Sequence, residues 1–207
     1  EDAWQPIFNS GSLGITNNPM DGWSRYVDIR RANQFIANIE QVKLQGDDQI
    51  SYYQPRLSRY KAEARVLRAE FYFDLYKRYG GVPIITTVLD LNEAGSTMMP
   101  RNTADEVVDF MAKECDTAAT ELPLQYPDNE LGRMTKGAAL ALKSRILSYA
   151  ASPLFNGNTW YAGITNKDGK QLFNPVYDKE KWKKAADAAK AVLDLNVYSM
   201  YNPNPSN

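Results

Sequence analysis

The stretch of this 207-residue chain best equipped for recognition chemistry runs from Pro153 to Tyr177. Phe155, Asn156, Asn158, Trp160, Tyr161, Asn166, Asp168 and Phe173 stand there among Gly157, Gly163 and Gly169. A sugar ring presents an apolar C–H face and a rim of hydroxyls. A protein matches these with a flat aromatic beneath the ring and short polar groups at its edge. Asn158, Trp160 and Tyr161 are the candidates in this loop, and Trp4 with Asn9 offers the same mixture in the opening segment. The competing reading is an aromatic staple that tucks a long loop onto its neighbours. Tyr and Trp make up 17 of the 24 aromatics, which fits a ligand-facing surface and helix packing equally.

Covalent and acid–base chemistry is poorly supplied. Histidine is absent, which removes Ser-His-Asp and Cys-His activation and histidine-containing zinc sites. The single Cys115 can form neither an internal disulfide nor a multi-thiolate site, and within a helical run it reads as a small buried side chain. Glu63 and Glu70 have basic neighbours on their own helix, while Asp105 and Glu106 sit at a helix start, where acids are favoured anyway. Gly80-Gly81 lacks the Lys-Ser/Thr of a phosphate-binding loop, and the glycines of the 153–177 loop are too widely spaced for a dinucleotide fingerprint. No enzyme activity, cofactor or metal centre is expected. A formal charge of −1 gives no electrostatic case for nucleic acid or an anionic membrane. No apolar run approaches the roughly 20 residues of a membrane span.

The elements that must hold these loops are helices. Arg56 to Tyr79 is free of Gly and Pro and rich in Ala, Leu, Glu and Arg, with Gly80 and Pro83 to end it. Tyr60, Ala64, Leu67, Phe71 and Leu75 fall on one face of that helix, and Ala62, Val66, Ala69, Phe73 and Tyr76 on the nearly opposite one. Two apolar faces predict neighbours on both sides, a middle layer with all four of Leu67, Phe71, Val66 and Phe73 buried. A first helix is expected from an Asp21 cap to about Leu44, broken at Gly46-Asp47-Asp48, and Val82 to Leu89 has the composition of a short strand. Thr103-Ala-Asp-Glu106 is a capping box for a third helix ending before Pro123. A fourth runs from Thr135 to Ser152, with Gly137, Ala141, Ser144 and Ser148 as a packing stripe of small residues. A fifth runs from Asp178 to about Leu195, in which Trp182 and the alanines resemble the first helix of a tetratricopeptide unit. Trp23 and Trp182 fall at helical spacing and are expected to pack. The fifth helix has no successor, so its mate is expected from another element or from further chain. The fold class is all-α: tetratricopeptide-like helical hairpins with long irregular loops, residues 1–207 forming a single helical-repeat region of a longer protein.

The string Ala62-Glu-Ala-Arg-Val-Leu-Arg-Ala-Glu-Phe-Tyr-Phe-Asp-Leu75, followed by Tyr79-Gly-Gly-Val-Pro-Ile-Ile-Thr86, resembles the signature of the SusD/RagB family. Trp23-Ser-Arg-Tyr-Val-Asp-Ile-Arg-Arg-Ala-Asn33 fits too, as do Thr135-Lys-Gly-Ala-Ala-Leu-Ala-Leu-Lys-Ser-Arg145 with Tyr149-Ala-Ala-Ser-Pro-Leu-Phe-Asn156, and Tyr177-Asp-Lys-Glu-Lys-Trp-Lys-Lys-Ala-Ala-Asp-Ala-Ala-Lys190. The resemblance implies a lipid-anchored protein on the outer face of a gram-negative outer membrane. Such a protein captures glycans or other nutrients and caps a SusC-type TonB-dependent transporter. It implies a helical scaffold toward the transporter and irregular segments toward the ligand, with the lipid-bearing cysteine and a large C-terminal portion lying outside this chain. A plain tetratricopeptide-like scaffold that binds protein and no sugar is the alternative.

Overall fold

The structure, a computed structural model, describes residues 10, 11, 14, 21–90, 92 and 98–199. It is all-α among these residues, with helices α1 (Arg25–Asn38), α2 (Asp47–Tyr53), α3 (Leu57–Tyr79), α4 (Ala104–Glu121), α5 (Lys136–Ala151) and α6 (Glu180–Leu193). The tetratricopeptide-like arrangement expected from the sequence is what forms. α1 and α4 flank α3, α5 packs on α4, and α6 packs on α5. Each of α3, α4 and α5 starts beside the end of the long helix before it. The Arg101 guanidinium ties the α3–α4 corner by donating to the Gly81 and Tyr79 carbonyls at 2.6 and 2.5 Å. The Lys136 amide ties the α4–α5 corner by donating to Pro123 at 2.8 Å.

Local chemistry sets the helix boundaries. Thr103 and Glu106 form the reciprocal capping box, and the Thr135 hydroxyl accepts from the Ala138 amide. α3 stops at Gly80, whose φ of +66° is a left-handed conformation, and a Cβ there would overlap the Phe173 ring. Asp21 accepts from the Trp23 amide but does not cap α1, which starts at Arg25 with Ser24 in the cap position and no side-chain cap, whereas Asp178 accepts from the Glu180 amide at the start of α6. α1 ends earlier than expected, at Asn38 with a single tighter turn to Gln41. After Gly46 the chain forms the short helix α2, which buries none of its residues and so left no apolar periodicity to read.

The middle-layer expectation for α3 holds on one face, and on the other it holds at Ala64 and Leu75 but fails at Leu67 and Phe71. Ala62, Val66, Ala69, Phe73 and Tyr76 are all buried against α4 and α5. On the other face Leu67 is 37% exposed and Phe71 only half-buried. The reason is where α1 lands. It sits on the stripe carrying Arg68 and Tyr72, with Asn33 on Arg68 and Tyr26 edge-on to Tyr72, and leaves Leu67 and Phe71 lining an open groove with Phe35. Arg65 and Arg68 turn toward Glu114 on α4. The Arg68 guanidinium donates to Glu114 through Nε at 3.0 Å and Nη2 at 2.5 Å, and to Asn33 through Nη1 at 2.7 Å, while Arg65 donates to the other Glu114 oxygen at 2.8 Å.

Val82 to Leu89 is extended but forms no strand. Side chains take the place of a partner strand on its inner edge. The Tyr26 hydroxyl donates to the Pro83 carbonyl, and the Asn33 amide donates to the Ile85 and Thr87 carbonyls. The Tyr72 hydroxyl accepts from the Ile85 amide, and Arg30 donates to the Leu89 carbonyl. Cys115 is fully buried in the core beside Met111 and Ile146, and burial pushes its thiol up to about 12. The small-residue stripe on α5 is only partly a packing surface: Gly137 lies under Tyr198, whereas Ala141 is exposed. Trp23 stacks on Tyr79 with ring centroids 4.1 Å apart, but its residue stays half-exposed. Trp182 corrects the expectation outright. It is 46% exposed, because α6 turns Ala185 and Ala188 inward and presents Trp182, Ala186, Ala189 and Leu193 outward.

Candidate functional site

The loop after α5 is built from its tucked residues upward. Phe155 stacks on Tyr76 of α3 at 4.4 Å, Phe173 lies against the glycine corner at Gly80, and Tyr161 leans on Phe173 at 4.9 Å. Phe155, Leu172 and Phe173 are buried in the main core. The staple reading is thus correct for these side chains. The ends of the excursion are clamped. The Asn156 amide donates to the Asp178 carbonyl at 2.9 Å, and its Oδ1 accepts from the Asp178 amide at 2.8 Å. Within it, an isolated bridge pairs Thr165 with Gln171, and the Asn166 amide donates to the Arg101 carbonyl at 2.7 Å.

On this frame the adjacent residues Trp160 and Tyr161 face opposite ways. Thr159–Tyr161 is a single 3₁₀ turn opened by Asn158, whose Oδ1 accepts from the Trp160 amide at 3.0 Å and whose Nδ2 donates to the Leu154 carbonyl at 3.0 Å. That turn sends Tyr161 down onto Phe173 and leaves Trp160 89% exposed. Of the sequence candidates, the structure brings Asn158, Trp160 and Tyr161 together and gives each a different position. Trp160 is open, Tyr161 is half-buried, and both arms of Asn158 are engaged within the turn. Trp4 and Asn9 lie outside the described residues.

Two concave alternatives beside α1 are less suited to a polar ligand. A cleft of about 300 Å³ between α1 and the 82–89 segment is lined by Tyr26, Asn33, Ile85 and Leu89, but its hydroxyl and amide are spent on that segment. The α1–α3 groove of about 510 Å³ around Phe35, Leu67 and Phe71 is mostly apolar. Among the described residues no group of three or more His, Cys, Asp or Glu is arranged to hold a metal ion. Among the described residues no helix is long and apolar enough to cross a membrane. Glu106, one of the carboxylates weighed from sequence, is held down at about 2 by the Lys170 ammonium and the Thr103 amide, as a structural cap would be. Glu63 is taken by Arg133 and Tyr126.

A ladder of helical hairpins with a stapled, aromatic-tipped loop defines a tetratricopeptide-like scaffold. Residues 14–147 match the SusD-like family described as "Starch-binding associating with outer membrane", and the chain belongs to that family. It is 31% identical over 179 residues to SusD-like protein P38 of Formosa agariphila, a match covering 82% of this chain and 33% of that protein. The solved structure of BT4246 superposes with a TM-score of 0.79 at 31% identity, over 94% of this chain and 32% of its own. A laminarin-binding SusD-like protein is similar at a TM-score of 0.55 and 25% identity, over 81% of this chain and 35% of that one. The chain thus spans about a third of the length of the relatives it matches.

Proposed function

We propose that this chain belongs to a cell-surface protein that binds glycans and passes them to a SusC-type TonB-dependent transporter. The protein sits at the outer face of the outer membrane, held by a lipid anchor outside this chain, and performs no catalysis. The observation that carries the reading is Trp160, an indole left almost wholly in water on a loop that packs Phe155, Tyr161 and Phe173 down. An open indole face is a flat apolar surface on which the C–H face of a sugar ring can stack. The starch-binding description of the family and the laminarin-binding relative support a sugar as that partner. Trp160 is the stacking ring, with Tyr161 bracing it and Asn158 fixing the turn, while Trp4 and Asn9 furnish a second contact from the opening segment.

Calorimetric titration with laminari- and malto-oligosaccharides tests the sugar half of the proposal. Wild type binds at least one series, and Trp160→Ala weakens it while melting within a degree or so of wild type. Unchanged binding by Trp160→Ala moves the site elsewhere. The partner half is tested by pull-down from detergent-solubilised outer membranes, which is expected to recover a large TonB-dependent barrel. A protein-binding scaffold without sugar binding is the second reading. The apolar α1–α3 groove favours it, and recovery of soluble partners only would establish it.

A further inference from the structure

Trp160 is not the only ring left open on this rim. Tyr177 is 62% exposed and Val176 beside it is exposed as well. The two ends of the loop run side by side here. Gly157 has a φ of +77°, and a Cβ on it would come within 2.9–3.1 Å of the Tyr177 Cβ, Cα and amide nitrogen. Asn156 and Asp178, one residue further along on each strand of the loop, exchange their paired hydrogen bonds. Trp160 follows Gly157 by three residues, so its Cα lies at most about 11 Å from that of Gly157. The absence of a side chain at Gly157 thus lets Tyr177 close against the turn that carries the tryptophan.

Resting on the glycan-binding reading above, we propose that Tyr177 is a second stacking residue. With Trp160 it forms a two-ring platform that engages neighbouring units of one oligosaccharide chain rather than a single sugar. The two asparagines beside these rings in the chain are already engaged: Asn158 by its own turn, and the Asn174 Oδ1 by the Val176 amide at 2.9 Å. Stacking therefore does most of the recognition, and stacking gains with each further ring that a chain can cover. The clamp at Asn156–Asp178 and the buried Phe155 and Phe173 fix the rim before the ligand arrives, so little ordering is needed on binding.

The test is length dependence. Wild type, Tyr177→Ala, Tyr177→Phe and Val176→Ala are titrated with a monosaccharide and with the oligomers of the laminari and malto series. In wild type, affinity climbs with chain length. Tyr177→Ala keeps the monosaccharide affinity and loses about three- to tenfold on the oligomers, the range one aromatic stacking contact supplies. Tyr177→Phe and Val176→Ala behave as wild type. Tyr177→Ala matching wild type at every length overturns the platform while leaving Trp160 as a lone contact. A loss by Val176→Ala equal to that of Tyr177→Ala also overturns it, since a general apolar patch and not a ring would then be responsible. Wild type that binds Trp160-dependently but without any gain from length overturns the platform too. Wild type that binds no oligomer removes the glycan reading itself.

Discussion

At Arg68 three helices are joined through one guanidinium. Its partners are Glu114 on α4 and Asn33 on α1, and both it and Glu114 are buried. A buried pair of this kind contributes little beyond a hydrophobic replacement, yet breaking it strands a charge. Glu114→Gln is therefore expected to destabilise the protein by about 3–5 kcal/mol, and joint replacement of Arg68 by Met and Glu114 by Leu to recover most of that. Denaturant melts on the single and double variants measure both. Ionisation leaves two further signatures. Glu106, held at about 2 against an ordinary 4.5, favours the folded state in its charged form. Its contribution is present above pH 4.5 and is lost as pH falls toward 2, so Glu106→Gln flattens the acid limb of the stability profile. At the other extreme, burial pushes Tyr72 up to about 12 and raises Tyr26 and Tyr76 as well. Their neutral forms stabilise the fold fully below pH 10, and this is lost as pH climbs through their raised values. Ultraviolet titration near pH 11 is expected to leave these three tyrosines, and Tyr126, which burial also pushes up to about 12, un-ionised until the chain unfolds.

Among the elements, the extended segment after α3 shows what sequence can and cannot disclose. Its β-branched run was legible; that it would be held by side chains was not, because Tyr26, Asn33 and Tyr72 are distant in sequence and ordinary in type. Asn33→Ala strips donors from the Ile85 and Thr87 carbonyls and from Arg68 an acceptor, which is expected to cost about 1–3 kcal/mol. Amide exchange concentrated in 82–89 is the accompanying readout. The ends of α3, α4 and α5 could be read because Gly80, Thr103 with Glu106, and Thr135 act within a few residues of themselves. Burial could not be read in the same way. An apolar face at helical spacing announces that something can cover it, not that something does, and Leu67 and Trp182 show the difference. The candidate site follows the same rule. Trp160 and Tyr161 are interchangeable as letters, and only the Asn158 turn decides which of them meets water. Tyr177 went unnoticed because its nearness to Gly157 depends on the Asn156–Asp178 clamp.

For the molecule as a whole, packing runs from each helix to its neighbour along the chain, and the core is deepest where α3, α4 and α5 meet. Phe73 lies in that core and Phe71 on its open flank. Phe73→Ala is expected to cost about 3–5 kcal/mol and Phe71→Ala roughly half as much, as thermal melts would show. Trp182→Ala, on the outer stripe of α6, is expected to cost less than either. The same core encloses the chain's only thiol. With Cys115 sealed at the α4–α5 contact and its proton held to about 12, a cysteine reagent finds nothing to attack while the helices stay closed. Its rate of modification is then set by how often the whole ladder opens, so the untouched protein carries its own clock for unfolding. A cysteine placed on the exposed rim, as in Thr159→Cys, would take a dye alone.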